Sequence, residues 1–123
     1  MQITHPLSQE TDKLKALEAV GAITLGLDLT LRDLQSDLKA KGQPWERAKA
    51  FDGACILADW VETDEIGDLQ ELELILTING VERQHGFSRD MLFDIGALLV
   101  EINQSFSLQA GDVIMTEIGR AHV

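Results

Sequence analysis

The sequence predicts an α+β fold with a largely antiparallel sheet. Two observations carry this. Segments of helical and strand periodicity follow one another in the order helix, strand, helix, several strands, helix, strand. Near the middle, a run of alternating leucines ends at Asn79-Gly80 and is followed by a second mixed run, the strongest short hairpin signal a sequence offers. No internal repeat or low-complexity stretch competes with this reading.

Taken in order, residues 1–10 are polar, contain Pro6 and read as an irregular lead-in. Leu14, Leu17 and Val20 recur at helical spacing, so a short amphipathic helix is expected over 11–20, stopping at Gly21. Residues 22–29 read as one strand, with Ile23, Leu25, Leu27 and Leu29 on one face and Thr24, Gly26, Asp28 and Thr30 on the other. Thr30 and Asp33 form a capping-box-like start to a helix that Gly42 and Pro44 end. Its buried stripe is Leu31, Leu34 and Leu38; at about 100° per residue, Arg32, Gln35 and Lys39 share one flank.

Residues 44–51 are turn-rich, with Trp45 as a packing anchor, and Asp52-Gly53 turns the chain into a strand over 54–60. A strand over 69–78 sets Leu72, Leu74, Leu76 and Ile78 against Glu71, Glu73, Ile75 and Thr77, and residues 81–85 return after the turn. Asp94 caps a helix in which Ile95, Leu98, Leu99 and Ile102 repeat. The turn 109–112 leads to a last strand over 113–116.

Composition narrows the functional classes. At 123 residues, the chain is one domain or a piece of one. A net charge of −11 repels polyphosphate and argues against nucleic acid as a partner. One cysteine excludes an internal disulfide and fits a reducing, cytoplasmic setting; Cys55 itself reads as a small buried residue. The apolar runs are far too short for a membrane span, and residues 1–20 lack a signal-peptide pattern.

Candidate chemistry clusters between Leu25 and Cys55. An acid stands at a strand end (Asp28), Arg32 and Gln35 lie on the next helix, and Lys49 sits between Ala48 and Ala50. Alone, each residue reads as well as a helix cap, a solvated flank or a surface lysine. Together, LGLDLTLRDLQ, G-x-PW-x-x-AKAFDGAC, NG-x-x-RQ-x-G, S-x-DM-x-F and AGDVIMT, in that order, resemble the fumarylacetoacetate hydrolase family from about Leu17 to Thr116.

The resemblance implies a β-sandwich or roll of that family's type, incomplete here. Residues 1–116 would be a partial catalytic domain and 117–123 a non-native or divergent tail. IGRAHV looks like a translated sequencing adapter, and Met1 like an arbitrary start. By the same resemblance, Asp28 is a ligand of Mg²⁺ or Mn²⁺, Lys49 is the catalytic cation that stabilises an enolate, and Arg32 and Gln35 bind a small 2-oxo acid. The implied activity is hydrolysis of a C–C bond in a 2,4-dioxo acid of the acylpyruvate or fumarylpyruvate type. The alternatives are an oxaloacetate decarboxylase, an isomerase/decarboxylase of aromatic-acid catabolism, or a truncated non-catalytic subunit. The complete protein would be a homodimer.

The family's Glu-x-Glu metal pair is expected on a strand before Asp28. Glu71-Leu72-Glu73 comes after it, so these two acids are expected on a solvated hairpin face, adding no ligand. The family's general base is a His-x-x-Glu unit. His5 has Ser8 at the matching offset, His85 follows the hairpin and His122 lies in the tail, so none fits. Three expectations follow. The chain alone is inactive, residues 117–123 make no strand or helix, and Asp28, Arg32, Gln35 and Lys49 converge on one polar concavity.

Overall fold

The computed structural model describes residues 1–118. Its elements are β1 (Gln2–Ile3), α1 (Lys13–Glu18), β2 (Val20–Ile23), β3 (Gly26–Asp28), α2 (Arg32–Ala40), α3 (Glu46–Lys49), β4 (Cys55–Leu57), β5 (Val61–Glu62), β6 (Glu73–Ile78), β7 (Val81–Phe87) and α4 (Ile95–Ser105). Every strand pair is antiparallel, as the sequence order of elements predicts. The chain divides into two units: one of residues 1–23 with the chain from Val61 onward, the other of residues 24–60.

The first unit holds the principal core. Ile3, Leu7, Ala16, Ala19, Val20, Ile95, Leu99 and Leu108 are buried together. α1 begins where the Asp12 carboxylate accepts from the Leu14 N–H, and α4 where Asp94 accepts from the Ala97 N–H at 2.6 Å. Side-chain oxygens thus satisfy amide donors that each first turn leaves open. α4 also approaches α1 closely through Gly96, where a Cβ would stand 2.9 Å from the Lys13 carbonyl. Buried Asn103 accepts from the Glu10 N–H and donates to the Leu7 and Phe106 carbonyls. This unit also contains the β1-β2-β5 sheet and the β6–β7 hairpin. Asn79 and Gly80 both take positive φ at the hairpin turn, as a tight type I′ connection requires.

Several sequence expectations are corrected in this unit. Residues 1–10 are not irregular: β1 pairs with β2, and Leu7 bridges Leu108. The first helix is shorter than its periodicity suggests, with Leu14 turned outward and Ala16 buried, because Val20 belongs to a strand. The expected strand over 113–116 reduces to a bridge between Gln2 and Val113 and the mutual pairing of Met1 and Ile114. His85 lies within β7 rather than after the hairpin. Glu117 and Ile118 adopt no strand or helix, but the Ile118 carbonyl accepts from Gln84 Nε2 at 2.7 Å. Residues 119–123, including His122, lie outside the described residues.

The second unit is built on β3 paired with β4, with α2 and α3. The single strand expected over 22–29 is two strands, β2 and β3, in different sheets. Alternation of leucines specifies an extended chain but not one partner for its whole length. α2 ends at Ala40, and Gly42, the residue after its C-cap Lys41, has a φ of +62°, the left-handed stop the sequence predicts. Its start differs from expectation: Leu31 occupies the N-cap with no side-chain cap, and the predicted stripe is reduced to Leu38, with Leu31 exposed. Trp45 is exposed rather than an anchor, with Lys39 Nζ 4.5 Å from its ring centroid. Cys55 is likewise exposed, because the two-stranded β3–β4 sheet leaves β4 exposed along its whole length.

Candidate active site

The second unit brings Asp28 and Lys49 into direct contact. Asp28 ends β3 opposite Cys55 on β4. The chain then leaves the sheet along a path fixed by backbone hydrogen bonds, from the Leu29 N–H to the Ala54 carbonyl (2.8 Å) and from the Leu31 N–H to the Ala48 carbonyl (3.0 Å). α3 is a single helical turn that buries Ala48 completely and so sets the direction of its neighbour Lys49. Lys49 Nζ donates to Asp28 Oδ2 and, at 3.0 Å, to Thr30 Oγ1.

The side chains of Lys49 and Asp28 are 33% and 46% exposed. At that exposure an ion pair contributes roughly 0–1 kcal/mol to stability, so its interest lies in what the two charges are placed to meet. The cation has two acceptors on one side and can turn a third N–H outward.

Arg32 and Gln35 form a second pair, on the first turns of α2, with Arg32 Nη1 donating to Gln35 Oε1 at 3.5 Å. The amide thereby constrains one edge of the guanidinium, leaving the rest of its planar fork for a carboxylate. All four residues named from the sequence lie in residues 24–60, in two pairs, one from the β3 end to α3 and one along α2.

Thr30 is the residue that sequence reasoning misassigned. Its hydroxyl serves Lys49 and does not cap α2. The signal was present: period-two geometry sets Thr30 on the Asp28 face, but its position before a helix favoured the cap.

Glu71 and Glu73 are occupied elsewhere. Glu71 lies in a 3₁₀ turn, Leu69–Glu71, before β6 and pairs with Arg89 at 3.4 Å. Glu73 opens β6, and its carboxylate lies 2.7 Å from His85 Nε2. Both are more than half exposed. Among the described residues, no group of three or more His, Cys, Asp or Glu side chains is arranged to hold a metal ion. The donor set around Asp28 is one carboxylate and one hydroxyl against an ammonium. That set fits a hard divalent cation as one ligand among several, not as a complete site.

A chain with this fold and this pair of charged constellations belongs to the fumarylacetoacetate hydrolase family: the family described as Fumarylacetoacetate (FAA) hydrolase C-terminal matches residues 1–116. Within it, the oxaloacetate tautomerase YcgM of Escherichia coli (strain K12) is 44% identical over 100 residues, covering 80% of this chain and 46% of the relative. The mitochondrial oxaloacetate decarboxylase of Dictyostelium discoideum is 36% identical over 108 residues, covering 88% of this chain and 50% of its own. The fumarylpyruvate hydrolase of Pseudomonas aeruginosa, solved in complex with Mn²⁺ and pyruvate, superposes with a TM-score of 0.83 at 26% identity, over 90% of this chain and 47% of that one. The chain spans about half the length of the curated relatives it matches. Among the described residues, no helix is long and apolar enough to cross a membrane.

Proposed function

We propose that the protein carrying this chain acts on a small 2-oxo acid by stabilising its enolate, and that the substrate is a 2-oxo dicarboxylate of the oxaloacetate class. The observation that carries the reading is the ammonium of Lys49 fixed against Asp28 and Thr30, in a chain 44% identical to an oxaloacetate tautomerase. When a 2-oxo acid gives up a proton at C3, negative charge gathers on the 2-oxo oxygen. A preplaced cation stabilises that charge more than it stabilises the neutral ketone. Lys49 supplies this cation. Arg32, steadied by Gln35, holds a carboxylate of the substrate and so orients the C3–H bond. No general base is assigned to the described residues.

Asp28 is proposed as one ligand of a divalent cation, Mg²⁺ or Mn²⁺, for which the Mn²⁺ in the Pseudomonas neighbour is the support. When bound, such an ion supplies Lewis acidity toward the oxygens of the 2-oxo acid. Residues 1–116 are proposed as part of the catalytic domain, supported by the family match over that range; the single cysteine favours a reducing compartment such as the cytoplasm, and the whole protein is proposed to be a homodimer.

The second reading is hydrolysis of a C–C bond in a 2,4-dioxo acid, favoured by the fumarylpyruvate hydrolase neighbour and its pyruvate. The same Lys49 and Arg32 would then hold the enolate that leaves. A chimera in which residues 1–116 replace the matching part of the E. coli relative separates the two. Enol–keto conversion of oxaloacetate, followed by ultraviolet absorbance, is the expected activity, and Lys49→Ala should lower kcat/KM about 100-fold or more. A folded chimera that leaves oxaloacetate untouched but cleaves an acylpyruvate would replace the first reading with the second. The 123-residue chain alone should turn over neither substrate, since one carboxylate is too few to retain the cation.

A further inference from the structure

Thr30 has a role that its position before a helix conceals. Its hydroxyl accepts from Lys49 Nζ at 3.0 Å, while Leu31, in the N-cap, leaves α2 without a side-chain cap. The residues on either side of Thr30 are held by backbone hydrogen bonds, Leu29 to Ala54 and Leu31 to Ala48. Ala48 is the fully buried neighbour of Lys49. The hydroxyl and the stem of the lysine are therefore referred to one another through main chain, not through flexible side chains. Asp28, by contrast, has a charge that a divalent cation would engage, and its carboxylate cannot serve both partners equally.

We propose that Thr30 is the positioning residue for Lys49: its hydroxyl keeps the ammonium in place when the Asp28 carboxylate is engaged elsewhere, so that the cation stays aimed at the substrate's 2-oxo oxygen. The inference rests on the reading of Lys49 as the group that meets this oxygen. It assigns to Thr30 no contact with substrate. A hydroxyl suits the task because it accepts from the ammonium without adding a second negative charge that would offset it.

The test uses the 123-residue chain and the ¹H–¹⁵N resonance of the Lys49 ammonium. Ammonium protons of a freely solvated lysine exchange with water too fast to be observed, whereas a fixed acceptor slows that exchange enough to retain them. The signal is expected in the wild type, with a nuclear Overhauser contact to the Thr30 side chain. It should survive in Asp28→Ala, be lost in Asp28→Ala combined with Thr30→Val, and return when Thr30→Ser replaces Thr30→Val. Loss of the signal in Asp28→Ala alone would overturn the proposal. So would its persistence in the double variant. The Overhauser contact in the wild type decides the matter if a variant fails to fold, because its absence places Lys49 away from Thr30. None of these readouts depends on turnover, so a failure of the oxaloacetate reading, seen as a folded chimera that leaves oxaloacetate untouched, is distinguishable from a failure of Thr30 to hold Lys49.

Discussion

Apolar side chains build a core in one unit and little of one in the other. In the unit formed by residues 1–23 and the chain from Val61, Ile3, Val20, Leu99 and Leu108 are almost wholly buried. In residues 24–60, Leu25, Leu27 and Leu29 are 59%, 43% and 39% exposed, and Ile56, cross-strand from Leu27, is 48% exposed. The unit with the apolar core is held by packing. The unit that carries the charged residues is held by backbone hydrogen bonds around a two-stranded sheet, an arrangement that is marginal by itself. The candidate site residues thus sit where there is least hydrophobic core, and apolar burial is concentrated away from them.

Four substitutions break or sharpen this contrast, from the largest effect to the smallest. Leu99→Ala removes a fully buried side chain from the core cluster and should cost about 2–5 kcal/mol. Hydrogen exchange of the α1 and α4 amides measures it directly. Both tryptophans, Trp45 and Trp60, lie in residues 24–60, so an equal shift of the urea midpoint by their fluorescence would mean that the two units unfold as one.

Asn103→Ala strands the Glu10 N–H and two carbonyls and should cost about 1–3 kcal/mol, read from the urea midpoint by circular dichroism. A loss under half of that would mean that water replaces the amide.

Asp94→Ala removes the cap of α4 and should cost about 1 kcal/mol. The Ala97 N–H, and after it Lys13, holds the Asp94 carboxyl below its usual range. A carboxyl more acidic folded than unfolded contributes fully above the ordinary aspartate range, near pH 4, and loses that contribution as the pH falls through its lowered folded value. The difference in stability between wild type and Asp94→Ala should therefore shrink below about pH 4, as measured by urea unfolding across pH. The Lys13 part of it should weaken with added salt, since both side chains are at least half exposed.

Leu27→Ser changes an exposed residue and should alter the tryptophan-detected midpoint by no more than about 0.5 kcal/mol. A shift of several times that would show that this leucine face is covered in solution.

What could be read in the sequence was what depends on near neighbours. Asn79-Gly80 announces its hairpin because the turn needs two residues at positive φ. Asp94 announces α4 because its carboxylate reaches an amide three residues on. What could not be read was choice of partner. The run from Val20 to Leu29 looks continuous, yet β2 pairs with β1 and β5 while β3 pairs with β4. Residues 1–10 look irregular because their order comes from Ala22, Leu108 and Asp112, distant in sequence.

The candidate site divides in the same way. Arg32 and Gln35 share a helix flank by spacing alone. The meeting of Lys49 with Asp28 depends on α3 folding back through the Leu31–Ala48 hydrogen bond, which no local pattern encodes. Thr30 was misread for a related reason: a threonine before a helix is an expected cap, and only the distant lysine shows its other use.

The closing of the first unit on itself has a consequence for the chain as it is synthesised. Ile3 bonds to Asp112 and Leu7 to Leu108, both in the main chain. At roughly 5–20 residues per second, the partners of the opening segment leave the ribosome on the order of ten seconds after it. Throughout that interval, Ile3, Leu7 and Val20 lack their partners from residues 95–112, while the β3–β4 pair and the β6–β7 hairpin can already form from nearby residues. The segment of residues 1–23 is therefore the part of this stretch that waits longest for its partners. Protease or labelling probes of chains stalled before residue 95 should find it open, and protection there at that stage would contradict the idea.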